Sequence, residues 1–160
     1  MGDVNRLLLN LNRDAIFLNA MTESVDALFD RAIERYKAGE EADTLIPVFK
    51  EICDRSSKSS AAWTCLSWLY LLADKPNAAF KAAQKAVKIN AQDPQARINL
   101  AIAILDSERK GVRQHVDVAR QVLFAVEDLR DEIKQNFEEG LRRRPDWDSL
   151  IRVQNWVFSD

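Results

Sequence analysis

Apolar residues recur along this chain at intervals of three and four, the spacing that gathers them on one face of a helix. Near the N-terminus Val4, Leu8, Leu11, Ala15 and Leu18 form such a seam, widened by Leu7, Ile16 and Phe17. Toward the other end Ile133, Phe137 and Leu141 repeat the spacing, and Trp147, Leu150, Ile151 and Val157 make a last apolar stripe. Punctuation divides the stretch between them. Gly39 can close one helix and Thr44 or Asp43 can cap the next, with Pro47 in its first turn. Asp74 to Asn77, which includes Pro76, reads as a tight turn, and Asp93-Pro94 as an N-cap followed by proline at the first helical position. Asp146 can cap the final helix. Together these signals predict helices over 4–19, 25–38, 44–56, 60–73, 77–90, 94–107, 114–128, 131–143 and 147–157.

The helices are periodic. A shift of 34 residues carries Phe29 onto Trp63, Ala32 onto Leu66, Tyr36 onto Tyr70 and Ile52 onto Ala86. A second shift carries Leu66 onto Leu100, Ser67 onto Ala101 and Tyr70 onto Ile104. The middle copy offers Trp63, Leu66, Ser67, Tyr70 and Ala79 in the order W-x2-L-G-x2-Y…A. Ala83 stands in the following aromatic place and Ala91 in that of the terminal proline. The first copy supplies Phe29, Ala32, Ile33 and Tyr36, then Leu45 and Phe49. The third begins at Pro94 and keeps Leu100, Ala101 and Ile104, has Arg97 in the aromatic place, and reaches Ala119 and Leu123 late.

On these residues the chain, over roughly 26–129, resembles the tetratricopeptide repeat (TPR) family. The resemblance implies an all-α fold: a right-handed α-solenoid of about three helix–turn–helix hairpins, with extra helices at both ends. The expected organisation is one domain over 1–160. It comprises an N-terminal amphipathic helix (1–21), repeats at 26–59, 60–93 and 94–129 (the last degenerate), and C-terminal capping helices (130–160). Small residues at Ser67, Ala79 and Ala101 let helices approach closely. Trp63, Tyr70 and Phe49 fill the spaces between units that cannot bury an apolar face alone.

Composition supports a folded chain: 47% hydrophobic and 30% charged residues, with only four glycines and four prolines. A net charge of −2 gives no global pull toward nucleic acid or anionic lipid. Locally the balance is uneven. Segment 26–59 has eight acidic residues against six basic, whereas 60–93 has Asp74 and Asp93 against Lys75, Lys81, Lys85 and Lys88. Cys53 and Cys65 sit on predicted helices among apolar neighbours and read as buried thiols. No apolar run is long enough to span a membrane, and Asn10, Asn12, Arg13 and Asp14 interrupt any signal-peptide core, so a cytoplasmic protein is expected.

Catalytic chemistry finds little to stand on. His115, the one histidine, lies in a polar stretch at the start of the predicted helix 114–128 and reads as a solvated side chain. No Gly-rich phosphate loop, HExxH, CxxC or GxSxG occurs. A non-catalytic protein without cofactor or metal is expected. Arg142, Arg143 and Arg144 form the one basic run, at a helix C-terminus where positive charge complements the dipole, and nucleic-acid binding is disfavoured.

In TPR proteins the first helix of each hairpin lines a concave groove that receives a peptide or helix. Carried onto this sequence, the groove comprises Asp30, Arg31 and Glu34 from the first copy, then Thr64, Cys65 and Trp68, then Ile98, Asn99 and Ile102. Trp68 is surplus to the packing pattern, and serves either as a binding anchor or as a contact for a terminal helix of the same chain. One TPR subtype clamps a partner's C-terminal carboxylate with Lys, Asn and Arg. The matching places here hold Asp30, Glu34, Cys65, Gln95 and Asn99, which disfavours a carboxylate and favours a basic or amphipathic partner segment. The expected role is a protein-interaction scaffold or adaptor, or alternatively an assembly factor or self-associating subunit. The N-terminal helix then caps the first repeat, pairs with a second copy as a homodimer, or lies in the groove.

Overall fold

The computed structural model describes residues 4, 6, 8–15 and 23–160. Among them stand eight named helices: α1 (Val25–Lys37), α2 (Ala42–Arg55), α3 (Ser60–Leu72), α4 (Pro76–Ile89), α5 (Pro94–Asp106), α6 (Val112–Ala125), α7 (Glu127–Arg143) and α8 (Asp148–Phe158). No strand occurs among the described residues. Residues 8–15 are helical as well, and all are exposed.

Local chemistry sets the boundaries. Ser24 begins α1 by accepting from the Ala27 amide at 3.1 Å, Ser59 begins α3 from the Ala62 amide at 3.2 Å, and Asp93 begins α5 from the Gln95 and Ala96 amides. Gly39, at φ +90°, closes α1 in the left-handed conformation that glycine adopts without steric cost. Two expected caps differ. α2 starts at Ala42 after Glu41, ahead of Thr44, and α8 follows Trp147 rather than Asp146; neither N-cap makes a side-chain bond. α7 begins at Glu127, four residues ahead of the expected start at 131, and Val126 caps both it and α6.

The helices pair in sequence as α1/α2, α3/α4 and α5/α6, with α4 against α5 and α3 against α5 linking the hairpins. This is an α-solenoid. Close approach falls where the side chains are small: Ala62, Ser67, Ala79, Ala83, Ala86, Ala96, Ala101 and Ala119 are fully enclosed. Leu45, Phe49, Ile52, Leu66 and Leu69 fill the first part of the core. A larger cluster joins Trp68, Ile98, Ile102, Val116 and Leu123 to Ile133, Phe137, Trp147, Leu150, Val153 and Val157 of the C-terminal helices. α8 packs on α5 and α6, α7 reaches Trp68 of α3 through Gly140, and α3 and α5 are buried on nearly every side.

Candidate functional site

The nine groove positions divide into two groups. Asp30, Arg31 and Glu34 are exposed on α1, where Arg31 pairs with Glu23 at 2.8 Å and Glu34 lies 3.5 Å from Lys37. The second and third copies are covered. Trp68 is 9% exposed, Thr64 8%, Ile98 1%, and Asn99 and Ile102 are fully enclosed. Cys65 is half-buried, and burial pushes its thiol up to about 12.

What covers them is the chain's own α7 and α8. α7 brings Gly140 over Trp68 so closely that an added Cβ would stand 2.8 Å from the indole Cη2 and 2.6 Å from Leu150 Cδ1. The Trp68 ring lies 5.6 Å from that of Trp147, and its Nε1–H donates to the Tyr36 hydroxyl at 2.9 Å. Trp68 is therefore an interior side chain contacting a terminal helix, the second of the two roles its position allowed. Burial, above all, raises the Tyr36 phenol above its ordinary range.

A polar thread crosses the same interface. The Asn99 amide donates to Thr64 O at 3.1 Å and Ser67 Oγ at 3.0 Å, Gln95 donates to Asn99 Oδ1 at 2.7 Å, and Asn136 of α7 donates to Gln95 Oε1 at 2.9 Å. No buried side-chain polar atom is left without a partner among the described residues. Such satisfaction suits a fixed contact, because an unpaired amide in that setting costs about 1–3 kcal/mol.

The arginine run has a structural task that sequence reasoning missed. Arg143 donates to Tyr36 O at 2.8 Å and Glu40 O at 3.0 Å while stacking 4.1 Å above the Tyr36 ring. Arg144 donates to Leu71 O at 2.6 Å. These carbonyls sit at or just past the C-terminal ends of α1 and α3; Tyr36 O and Leu71 O already accept the Gly39 and Asp74 amides, and each guanidinium takes a further lone pair. Two guanidiniums thus bind the C-terminal end of α7 to the turns inside the first two hairpins, and Trp147 adds a bond to Asp106 Oδ2 at 2.9 Å. The signal was present as three consecutive arginines, but their targets are 73 to 107 residues distant.

His115 also differs from expectation. It lies within α6 and is 8% exposed, with Nδ1 2.9 Å from Arg97 Nη1. A guanidinium can only donate, so Nδ1 accepts and the ring is neutral. Burial first, and the Arg97 charge second, lower its pKa. Among the described residues no group of three His, Cys, Asp or Glu is placed to hold a metal, and no helix is long and apolar enough to cross a membrane.

No protein-family model matches the chain, and no curated protein matches it in sequence. Solved structures do. The translocator chaperone SycD of the Yersinia enterocolitica type III secretion system, in an alternative dimer, superposes with a TM-score of 0.59 at 14% identity, over 74% of this chain and 89% of that one. The first TPR of Spaghetti (RPAP3), bound to the HSP90 peptide SRMEEVD, superposes with a TM-score of 0.50 at 15% identity, over 83% of this chain and 89% of that one. At such identities the likeness defines a fold class, a TPR-like helical-repeat solenoid.

Proposed function

We propose that this chain is a non-catalytic protein-interaction adaptor, and that it meets its partner through surfaces its own C-terminal helices leave open. The observation that carries this reading is an exposed apolar face on a helical segment. Val4, Leu8 and Leu11, which share that face, are 57–65% exposed. Apolar groups held in water at that density mark an interaction site. Asp30, Arg31 and Glu34 form the open end of the concave face and favour a basic or amphipathic segment. Trp68 is not the anchor for that partner, because Gly140 and Trp147 already occupy the ground above it. Capping of the first repeat by residues 8–15 is likewise disfavoured, since none of them is buried. The two TPR-like neighbours, a chaperone and a peptide-binding domain, support the adaptor class by analogy.

The test is quantitative affinity capture from the native cell by wild type, by Leu8→Glu/Leu11→Glu and by Asp30→Lys/Glu34→Lys. A partner retained by wild type and lost from either variant, with unchanged circular dichroism, supports the reading. Identical capture by all three refutes it. The 4-3 spacing of Val4, Leu8 and Leu11 also favours a second reading, self-association or fixed membership of a larger assembly through this helix. Sedimentation distinguishes it: a wild-type dimer that becomes a folded monomer in Leu8→Glu/Leu11→Glu supports self-association, and an unchanged mass refutes it.

A further inference from the structure

The second repeat carries a charge asymmetry that the concave face does not use. Its two carboxylates are engaged elsewhere, Asp93 capping α5 and Asp74 lying 3.8 Å from Arg144, and Lys75 pairs with Asp43 at 3.3 Å. Lys81, Lys85 and Lys88 remain. All three are exposed on the outer face of α4, at i, i+4 and i+7, within one helical stripe. Arg109 extends the stripe at the start of α4, donating to Asn77 Oδ1 at 2.9 Å and stacking 4.1 Å above Phe80. From Asn77 to Lys88 the row runs about 16 Å along the axis. Among the described residues none of these four cations is ion-paired.

α4 contains no acidic residue, and like charges at i, i+4 disfavour a helix slightly. No carboxylate on the helix offsets that repulsion, although Lys88 complements the dipole in its last turn. Apolar surface adjoins it: Lys85 Nζ sits 4.5 Å above the partly exposed Trp63 ring, and Ile89 is 40% exposed at the end of the helix.

We propose that this face docks an acidic helical segment of a partner protein. Its carboxylates recur every three or four residues opposite Lys81, Lys85 and Lys88, and one apolar side chain seats on Ile89 and the rim of Trp63. The helical spacing of the cations selects a helix. Charge complementarity selects its sign, and the apolar rim supplies the anchor that exposed ion pairs, individually weak, cannot. A single-stranded nucleic acid would require free rings for stacking, whereas Phe80 lies under Arg109 and Trp63 under Lys85. The surface shares no residue with the α1 rim and takes a partner of opposite charge, so its failure leaves the adaptor reading standing.

The experiment uses the full chain and a fluorescent synthetic helix bearing Glu at i, i+4 and i+7 with a leucine one turn beyond, followed by anisotropy. A polyuridine oligonucleotide and phosphatidylserine vesicles are run beside it. The acidic helix binds wild type, weakens as salt rises, and loses at least about tenfold in affinity to Lys81→Glu/Lys85→Glu/Lys88→Glu. A lysine-bearing helix binds the reversed variant instead. The corresponding triple alanine variant serves the same comparison if the glutamates disturb folding. Equal binding by wild type and variant, no binding of the acidic helix, or preferential binding of oligonucleotide or vesicles overturns the proposal.

Discussion

Truncating Trp68 to alanine separates an interior tryptophan from a groove-lining one by magnitude. The indole is 9% exposed, is covered by Gly140 and Trp147, and spends its one donor on the Tyr36 hydroxyl. Transfer and cavity costs for such a residue come to about 3–5 kcal/mol. The lost hydrogen bond adds about 0.5–1 kcal/mol, at the low end because Tyr36 is half-buried and water can replace the partner. A total of about 3.5–6 kcal/mol, with a urea slope of about 2 kcal/mol/M, lowers the unfolding midpoint by about 1.8–3 M. Equilibrium denaturation followed by circular dichroism measures this. A surface tryptophan would shift stability by no more than about 0.5 kcal/mol, and a midpoint change of about 0.25 M or less would refute the closed groove. Gly140→Ala gives an independent sign. On an open helix face alanine gains about 1 kcal/mol over glycine. Beneath Trp68 and Leu150 the added methyl meets rigid, enclosed groups, and overpacking of about 1–3 kcal/mol outweighs that gain. Destabilisation is expected; stabilisation would sink the argument.

Three further outcomes follow from the same packing. Asn99→Ala costs about 2–3 kcal/mol, and a double-mutant cycle with Asn136→Ala shows coupling above about 0.5 kcal/mol through Gln95; additive effects would disconnect the thread. His115 has a folded pKa below its unfolded value, so its contribution is complete above about pH 6.5 and is lost as pH falls through the folded pKa. The urea midpoint should therefore drop more between neutral and mildly acid pH in wild type than in His115→Asn, and equal drops would deny the shift. Burial pushes the Cys53 and Cys65 thiols up to about 12, so both react slowly with a disulfide reagent at mildly alkaline pH in the native protein and promptly in urea; fast native labelling contradicts that burial.

Much of the solenoid was legible because its signals are local. The 34-residue spacing, Asp93-Pro94 and Gly39 each act within a turn or a hairpin, and the helices lie where these residues put them, within a few positions. The shifts have local causes too. Val126 turns the chain without a loop, so α7 starts early, and Trp147 displaces Asp146 from the cap because its ring is drawn into the core.

The covering of the second and third copies was harder to read, although one clue was available. A groove-lining helix should be polar on its free side, yet Ile98, Ile102 and Ala103 join Leu100, Ala101 and Ile104 to spread apolar residues round most of α5, and α3 is similar. A helix apolar on every face is a buried helix, which already implied a cover. The periodic pattern could not say which segment supplied it, because the answer rests on contacts between residues far apart in the chain: Gly140 with Trp68, Arg143 with Tyr36, Asn136 with Gln95. Gly140 is the most informative of these. Gly140 stands in the last turn of an amphipathic helix, and glycine within a helix costs up to about 1 kcal/mol against alanine. Its presence there is explained by the indole beneath it, so the residue that looks least suited to its helix records where that helix must lie.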